Sequence, residues 1–209
     1  MSFFSVDGLR KEIELDISSL LNSMGIMYRM FSRVKSEESI KAKLSGNSLY
    51  GVSKKMQDYI GVRVVLYFND DIGIVRKAIS SIYEEKENDA SIDEFKEDEF
   101  RPVRFNVVYE VPSHLTDSMG LEGFEDKVDN TFELQIRTIF SEGWHEVEHD
   151  LRYKCKSDWE GLGIQSRKLN GVYAALETSE WTMVKFLTSL LIIIIKKKIG
   201  QLCFDRSSE

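Results

Sequence analysis

Thr131-Phe132-Glu133-Leu134-Gln135-Ile136-Arg137-Thr138 alternates in polarity. Phe132, Leu134 and Ile136 point one way; Glu133, Gln135 and Arg137 point the other. A period of two is the signature of a β-strand with one buried face. The second face sets an acid, an amide and a base in one row, with side chains about 7 Å apart by strand rise. A solvated strand face could carry the same residues. The neighbouring stretches decide between solvent and chemistry.

Bulk properties narrow the choice. A chain of 209 residues suggests one domain, with room for an appended segment. Hydrophobic content of 42% beside 30% charged residues permits a folded core and argues against global disorder. At a net charge of −7 a groove for polyanions is not visible in the totals, and a local basic site stays open. Cys155 and Cys203 stand far apart with no metal-ligand spacing, as expected in a reducing compartment. The N-terminal stretch has no basic region followed by an apolar core, so no signal peptide is expected. The apolar run Phe186–Ile195 is ten residues long, too short by itself to span a bilayer. A soluble, cytoplasmic protein without a membrane is therefore expected. Lys196-Lys197-Lys198 follows the run and leaves an association surface, or contact with a membrane surface, open.

The spacing of Leu9, Ile13, Ile17, Leu20 and Leu21 predicts a packing helix over 7–30, capped by Asp7. Arg33 and Lys35 alternate as at the end of an extended segment. Ser36, Glu38 and Ser39 then start a helix on which Ser39 and Lys43 share a face. Arg33, Lys35, Ser39 and Lys43 could converge at that helix N-terminus, where free N–H groups and the dipole favour an anion. An ordinary charged surface helix would read the same way. Residues 59–68 are a core strand, apolar and β-branched, with Asp58 at its mouth and Arg63 inside it. A charge inside a core strand is costly unless it is paired.

Asp70-Asp71 should cap a helix over 72–85, with Ile74, Val75, Ala78, Ile79, Ile82 and Tyr83 inward. An acidic loop over 84–99 leads to a strand within 100–112, ended by Pro112. A long polar loop covers 113–130. Beyond the opening strand, Thr138 or Ser141 starts a helix reaching about Tyr153, with Trp144 and Val147 in the core. A last helix spans 164–187, with Leu169, Val172, Tyr173, Leu176 and Trp181 along it.

Four of these stretches, in order, resemble the synthetase region of the RelA/SpoT family, makers of the alarmone (p)ppGpp. Arg33-x-Lys35-x-x-x-Ser39-Ile40-x-x-Lys43 resembles its ATP-phosphate segment, and Asp58-Tyr59-Ile60-Gly61-Val62-Arg63 its D-x-x-G-x-R strand. Glu133-Leu134-Gln135-Ile136-Arg137-Thr138 resembles its E-x-Q-[IV]-R-T strand. Trp144-x-x-x-Glu148-His149 through Tyr153-Lys154 resembles the helix that follows. The resemblance implies an α+β fold, a mixed β-sheet flanked by helices and related to nucleotidyltransferases. It divides the chain into a packing helix (1–30), a synthetase core (31–155) and a C-terminal helix and tail (156–209).

It also implies a reaction, the transfer of the β,γ-pyrophosphate of ATP to the 3′-hydroxyl of GDP or GTP in the stringent response. Arg33 and Arg63 would stack on the adenine. Lys35, Ser39 and Lys43 would hold phosphates. Asp58 and Glu133 would bind Mg²⁺, with Glu133 also taking the acceptor's proton. Arg104, Asn106, Gln135 and Arg137 are the candidates for acceptor binding. One departure stands out. The family's acceptor strand reads G-Y-x-S-x-H, and here Arg104, Asn106 and Val108 fall where its Tyr, Ser and His belong. Phe105 or Tyr109 could be displaced substitutes for the stacking Tyr. The acceptor therefore stays open between a guanine nucleotide, an adenine nucleotide and a tRNA 3′ end, and a non-catalytic nucleotide sensor is a third reading. A homo-oligomer is also open. His149-Asp150 is half of a metal phosphohydrolase signature, but only His114 and His145 remain to complete one. Glu148 and His149 are expected to brace the strand of Glu133 instead.

Overall fold

The structure is a computed structural model that describes residues 5–46, 49–50, 52, 54–86, 91–92, 105–121 and 123–206. Arg104 and most of the acidic stretch 84–99 lie outside the described residues. The chain divides into two compact units, Met1–Glu142 and Gly143–Glu209.

In the first unit a sheet of five strands carries everything else. The strands are β1 (Tyr28–Val34), β2 (Ile60–Leu66), β3 (Ser91–Ile92), β4 (Phe105–Glu110) and β5 (Thr131–Thr138). Their order is β1-β2-β5-β4-β3. The β2–β5 pair is parallel and the others antiparallel, so the sheet is mixed, as expected. Register then sorts the side chains. Ile60, Val62, Val64 and Leu66 lie beside Phe132, Leu134 and Ile136, and these beside Tyr109, Val107 and Phe105. All except Phe105 are buried.

Helix α1 (Val6–Ser23) lays Leu9, Ile13, Ile17 and Leu21, each fully buried, into this core. The cap is Ser5 rather than Asp7: its side chain accepts from Gly8 N–H, and the helix starts earlier than expected. The helix also ends seven residues early. Gly25 adopts φ +70°, Gly25 N–H donates to Asn22 O and Ile26 N–H to Leu21 O. That is a Schellman close, which favours a residue at ease in the left-handed region. The chain after Gly25 is thereby free to form β1.

Helix α2 (Glu37–Gly46) follows β1 and buries Ile40. Helix α3 (Asp71–Ile79) is shorter than expected, and Asp70 makes no side-chain cap. Val75, Ile79 and Tyr83 are buried, but Ile74 and Ile82 are about half exposed, so the inward stripe is narrower than the spacing suggests. Tyr83 and Tyr109 pack against Phe132, with ring centroids 5.0 and 5.4 Å away. Each buried phenol keeps a partner, Asp16 for Tyr83 and Ser80 for Tyr109. Burial pushes both phenols up from their ordinary pKa.

The polar segment after Pro112 is not all loop: Ser113–Met119 is a 3-10 helix that buries Met119. Helix α4 (Ile139–Glu148) follows β5 directly. Thr138 and Ser141 cap it reciprocally, Thr138 N–H donating to Ser141 Oγ and Ser141 N–H to Thr138 Oγ1.

In the second unit α4 runs into a π-helical turn at His149–Tyr153. Trp144 is buried and tilted on Tyr173, with centroids 5.5 Å apart, while Val147 is exposed, against expectation. The last helix does not stop near residue 187: α5 runs unbroken from Gly163 to Arg206. The isoleucine run is therefore part of a 44-residue helix, and Gly163–Ile199 is long and apolar enough to cross a membrane by length and composition alone. Taken by itself the ten-residue run is a poor guide, because nothing on either side of it breaks the helix.

Phe132 sits where the aromatic cluster meets the sheet. Phe132→Ala should destabilise the first unit by about 3–5 kcal/mol through lost burial and an unfilled cavity. Urea unfolding compared with wild type measures it.

Candidate active site

The face of the sheet opposite the core carries the polar residues. Glu133, Gln135 and Arg137 of β5 share it with Gly61, Arg63 and Val65 of β2. Phe31 and Arg33 of β1 lie beside Arg63 and Gly61, and Asn106 and Val108 of β4 beside Gln135 and Glu133. Strand pairing alone thus brings Arg33, Arg63, Asn106, Glu133, Gln135 and Arg137 onto one surface.

Two clusters form there. In the first, the ladder extends one residue beyond β1, Lys35 N–H donating to Tyr59 O, so Lys35 faces the same way as Arg33. Helix α2 starts after Ser36 and brings Lys43 round two turns later. Lys35 Nζ and Lys43 Nζ both donate to Asp58 Oδ2, at 2.5 and 2.7 Å. Asp58 is held at the mouth of β2 by flanking backbone: Met56 N–H donates to Lys127 O, and Thr131 Oγ1 donates to Gln57 O. Burial alone would raise the Asp58 carboxyl, but hydrogen bonds and charge from Lys35 and Lys43 outweigh it and hold it below the usual carboxylate range. Lys35 goes the other way. Burial pulls its ammonium down, Asp58 opposes this, and the charges of Lys43 and Arg33 add to the fall. For Lys43 the burial cost is outweighed by Asp58, Tyr50 and Glu133, and its pKa is raised. Two lysines thus share one oxygen of a carboxylate, with the charge of Arg33 close by. The other oxygen, Oδ1, is buried without a hydrogen-bond partner among the described residues.

The second cluster surrounds Glu133. Asn106 Nδ2 donates to Glu133 Oε1 (3.1 Å) and Gln135 Nε2 to Glu133 Oε2 (2.9 Å). Behind the amides stand two arginines. Arg137 donates to Asn106 Oδ1 at 3.0 Å, and Arg63 Nε to Gln135 Oε1 at 3.0 Å. Arg63 also pairs with Glu142 at 2.6 Å, the partner that its place in a core strand demands.

Of the residues chosen from sequence, Lys35, Lys43 and Asp58 meet in the first cluster, with Arg33 near enough to act on Lys35. Arg63, Asn106, Glu133, Gln135 and Arg137 form the second. Ser39 is exposed and bonds to Ser36, its N–H and Oγ each meeting Ser36 Oγ. Tyr109 and Phe105 cannot replace a base-stacking residue, because their strand parity puts them on the core face. Glu148 pairs with Arg152, and His149 with Asp150. Two site residues escape the sequence reading. Glu142 lies beyond the motif, with no local signal. Phe31, 56% exposed beside Arg63, continues the odd-numbered alternation of Arg33 and Lys35 backwards, and that parity is its signal.

Residues 32–158 match the family model of a region found in RelA/SpoT proteins, and the chain belongs to that family. The fold is that of the small alarmone synthetases. Small alarmone synthetase 1 from Bacillus subtilis superposes with a TM-score of 0.63 at 18% identity, over 88% of this chain and 94% of that one. Small alarmone synthetase 2 from the same organism gives 0.63 at 21% identity, over 90% and 98%. Synthetase 1 bound to its product pppGpp gives 0.56 at 22% identity, over 88% and 92%, and a further structure of that protein holds AMPCPP. No curated protein gives a significant sequence match.

The first cluster makes an acid-stability prediction. The Asp58 carboxyl lies below its unfolded value of about 3.9. Its contribution is complete above that value and is lost as pH falls through the folded one. Asp58→Asn should therefore show a shallower loss of stability below about pH 4 than wild type, read from urea midpoints across an acid series.

Proposed function

We propose that this chain transfers the β,γ-pyrophosphate of ATP to the 3′-hydroxyl of a guanine nucleotide, releasing AMP. The carrying observation is the pairing of a cation-rich cluster with an anchored carboxylate on one sheet face, in a member of the RelA/SpoT family. The AMPCPP and pppGpp held by the Bacillus subtilis relative support an ATP-type donor and a guanine acceptor.

The donor half follows from charge. Lys35 and Lys43 share one carboxylate oxygen and have donors left for phosphates, and Arg33 adds a third cation. Ser39, on the exposed first turn of α2, offers its hydroxyl at the helix's positive end. The guanidinium of Arg63, oriented by Gln135 and Glu142, is the group that stacks on the base in this reading; Arg33 and the exposed Phe31 flank it.

The residues also fit Mg²⁺. This ion binds through one or two carboxylates plus substrate phosphates. Asp58 Oδ1 has no partner among the described residues, and each Glu133 oxygen receives an amide hydrogen bond and can accept more. Asp58 and Glu133 would hold the ion, which would neutralise charge on the transferring group. Glu133 takes the proton of the 3′-hydroxyl as the O3′–Pβ bond forms. The bond between Pβ and the α–β bridging oxygen breaks, and AMP leaves with that oxygen.

Glu133→Gln keeps the shape but removes the base, and turnover should fall by about 10²–10⁴. Product formation from labelled ATP with GDP, GTP, ADP, ATP and tRNA in parallel measures this and ranks the acceptors. With Arg104 and Val108 at the sequence positions of the family's Tyr and His, guanine preference should stay below about a hundredfold. Undiminished turnover in the variant would remove the assignment; transfer only to tRNA or adenine nucleotides would replace the acceptor.

Arg33→Ala and Lys35→Ala should each weaken AMPCPP binding, by calorimetric titration, at little change in melting temperature. Equal affinity in both variants would remove both residues from the proposed donor site.

A further inference from the structure

Asn106 stands where the family pattern has a serine, and its place in the sequence suggests a contact for the acceptor. Its bonds point elsewhere. Arg137 has only donors, so the atom of Asn106 facing it is the carbonyl oxygen, at 3.0 Å. That contact turns Nδ2 towards Glu133 Oε1, 3.1 Å away. The other side of Glu133 repeats the arrangement: Arg63 Nε faces Gln135 Oε1, and Gln135 Nε2 faces Glu133 Oε2. The polarity of both amides is dictated by an arginine. Arg137 is buried to 4% exposure, and Arg63 is anchored by Glu142, so neither end of the relay is loose.

An amide between arginine and carboxylate does something that arginine alone would not. A direct Arg–Glu pair is commonly bidentate and would occupy both carboxylate oxygens with a cation. One N–H on each oxygen fixes the plane of the carboxylate and leaves lone pairs for a substrate proton or an ion. A serine at 106 is shorter and has a single hydrogen to give. It could not accept from Arg137 and reach Glu133 with the same span.

We infer that Asn106 is a positioning residue: with Gln135 it clamps the Glu133 carboxylate between two arginine-anchored amides, and it does not read the acceptor base. This role rests on Glu133 being the proton acceptor proposed above.

The test is a double-mutant cycle on the full chain, with ATP, Mg²⁺ and the best acceptor of the panel. Asn106→Leu removes both hydrogen bonds at similar size. It should lower kcat about 10- to 100-fold, the scale of a misplaced reacting group, with KM for both nucleotides nearly unchanged. In a Glu133→Gln background the same change should cost almost nothing, because the group it serves is gone. Asn106→Asp keeps an acceptor for Arg137 but sets a second carboxylate against Glu133. It should lose kcat at least as strongly, and activity scaled to the folded fraction from the melting curve separates positioning from folding. A raised acceptor KM with kcat preserved would overturn the inference in favour of base reading. Losses that add in full, with Glu133→Gln itself impaired, would overturn this role alone. Wild-type turnover by Glu133→Gln would remove the proposed function and this role with it.

Discussion

The period of two along β5 forces core and chemistry onto opposite sides of the same eight residues. Phe132, Leu134 and Ile136 are almost completely buried, and their packing sets the register of β2 and β4. A slip of one residue would carry every apolar side chain into water. The register that hides the apolar face therefore also fixes which residues meet on the polar one. Arg63 comes to Gln135, and Asn106 to the space between Glu133 and Arg137, with no loop involved. Positions on paired strands are more rigid than positions on loops.

The polar face costs stability. Lys35 is held below its ordinary pKa by burial that a shared carboxylate oxygen does not offset. Asp58 Oδ1, buried with no hydrogen-bond partner among the described residues, adds to that cost. A chain shaped by folding alone would place one lysine and a solvated acid here. The surplus of cation and the spare oxygen become favourable together only when an anion and a cation arrive together. The metal-bound polyphosphate proposed above would bring both.

Much of this is legible in the sequence. The alternation of β5 marks its bounds to the residue, and the start of α2 after Ser36 follows from capping chemistry. The demand of Arg63 for a partner is plain from its place among valines. What stays hidden depends on backbone conformation or on long-range pairing. The Gly25 close needs a left-handed φ, which composition near a helix end only hints at. Glu142 is named only by the fold, since it lies 79 residues from Arg63. The uninterrupted course of α5 escapes a reading that weighs ten apolar residues as a unit, without asking what would end the helix around them.

The place of Tyr109 turns on parity. Nearness in sequence makes its ring look like a substitute for a stacking tyrosine. In an antiparallel pair, however, Tyr109 lies opposite Phe132, and no rotamer brings a ring through the sheet. Only even-numbered residues of β4 reach the face of Glu133. Among the described residues these are Asn106, Val108 and Glu110. If Asn106 is committed to Glu133, Val108 offers apolar contact and no hydrogen bond. Strong base selection comes from buried polar groups that the wrong base leaves unpaired. At positions 106 and 108 an amide already occupied and a valine supply no such group, which is the physical ground for the weak guanine preference proposed above.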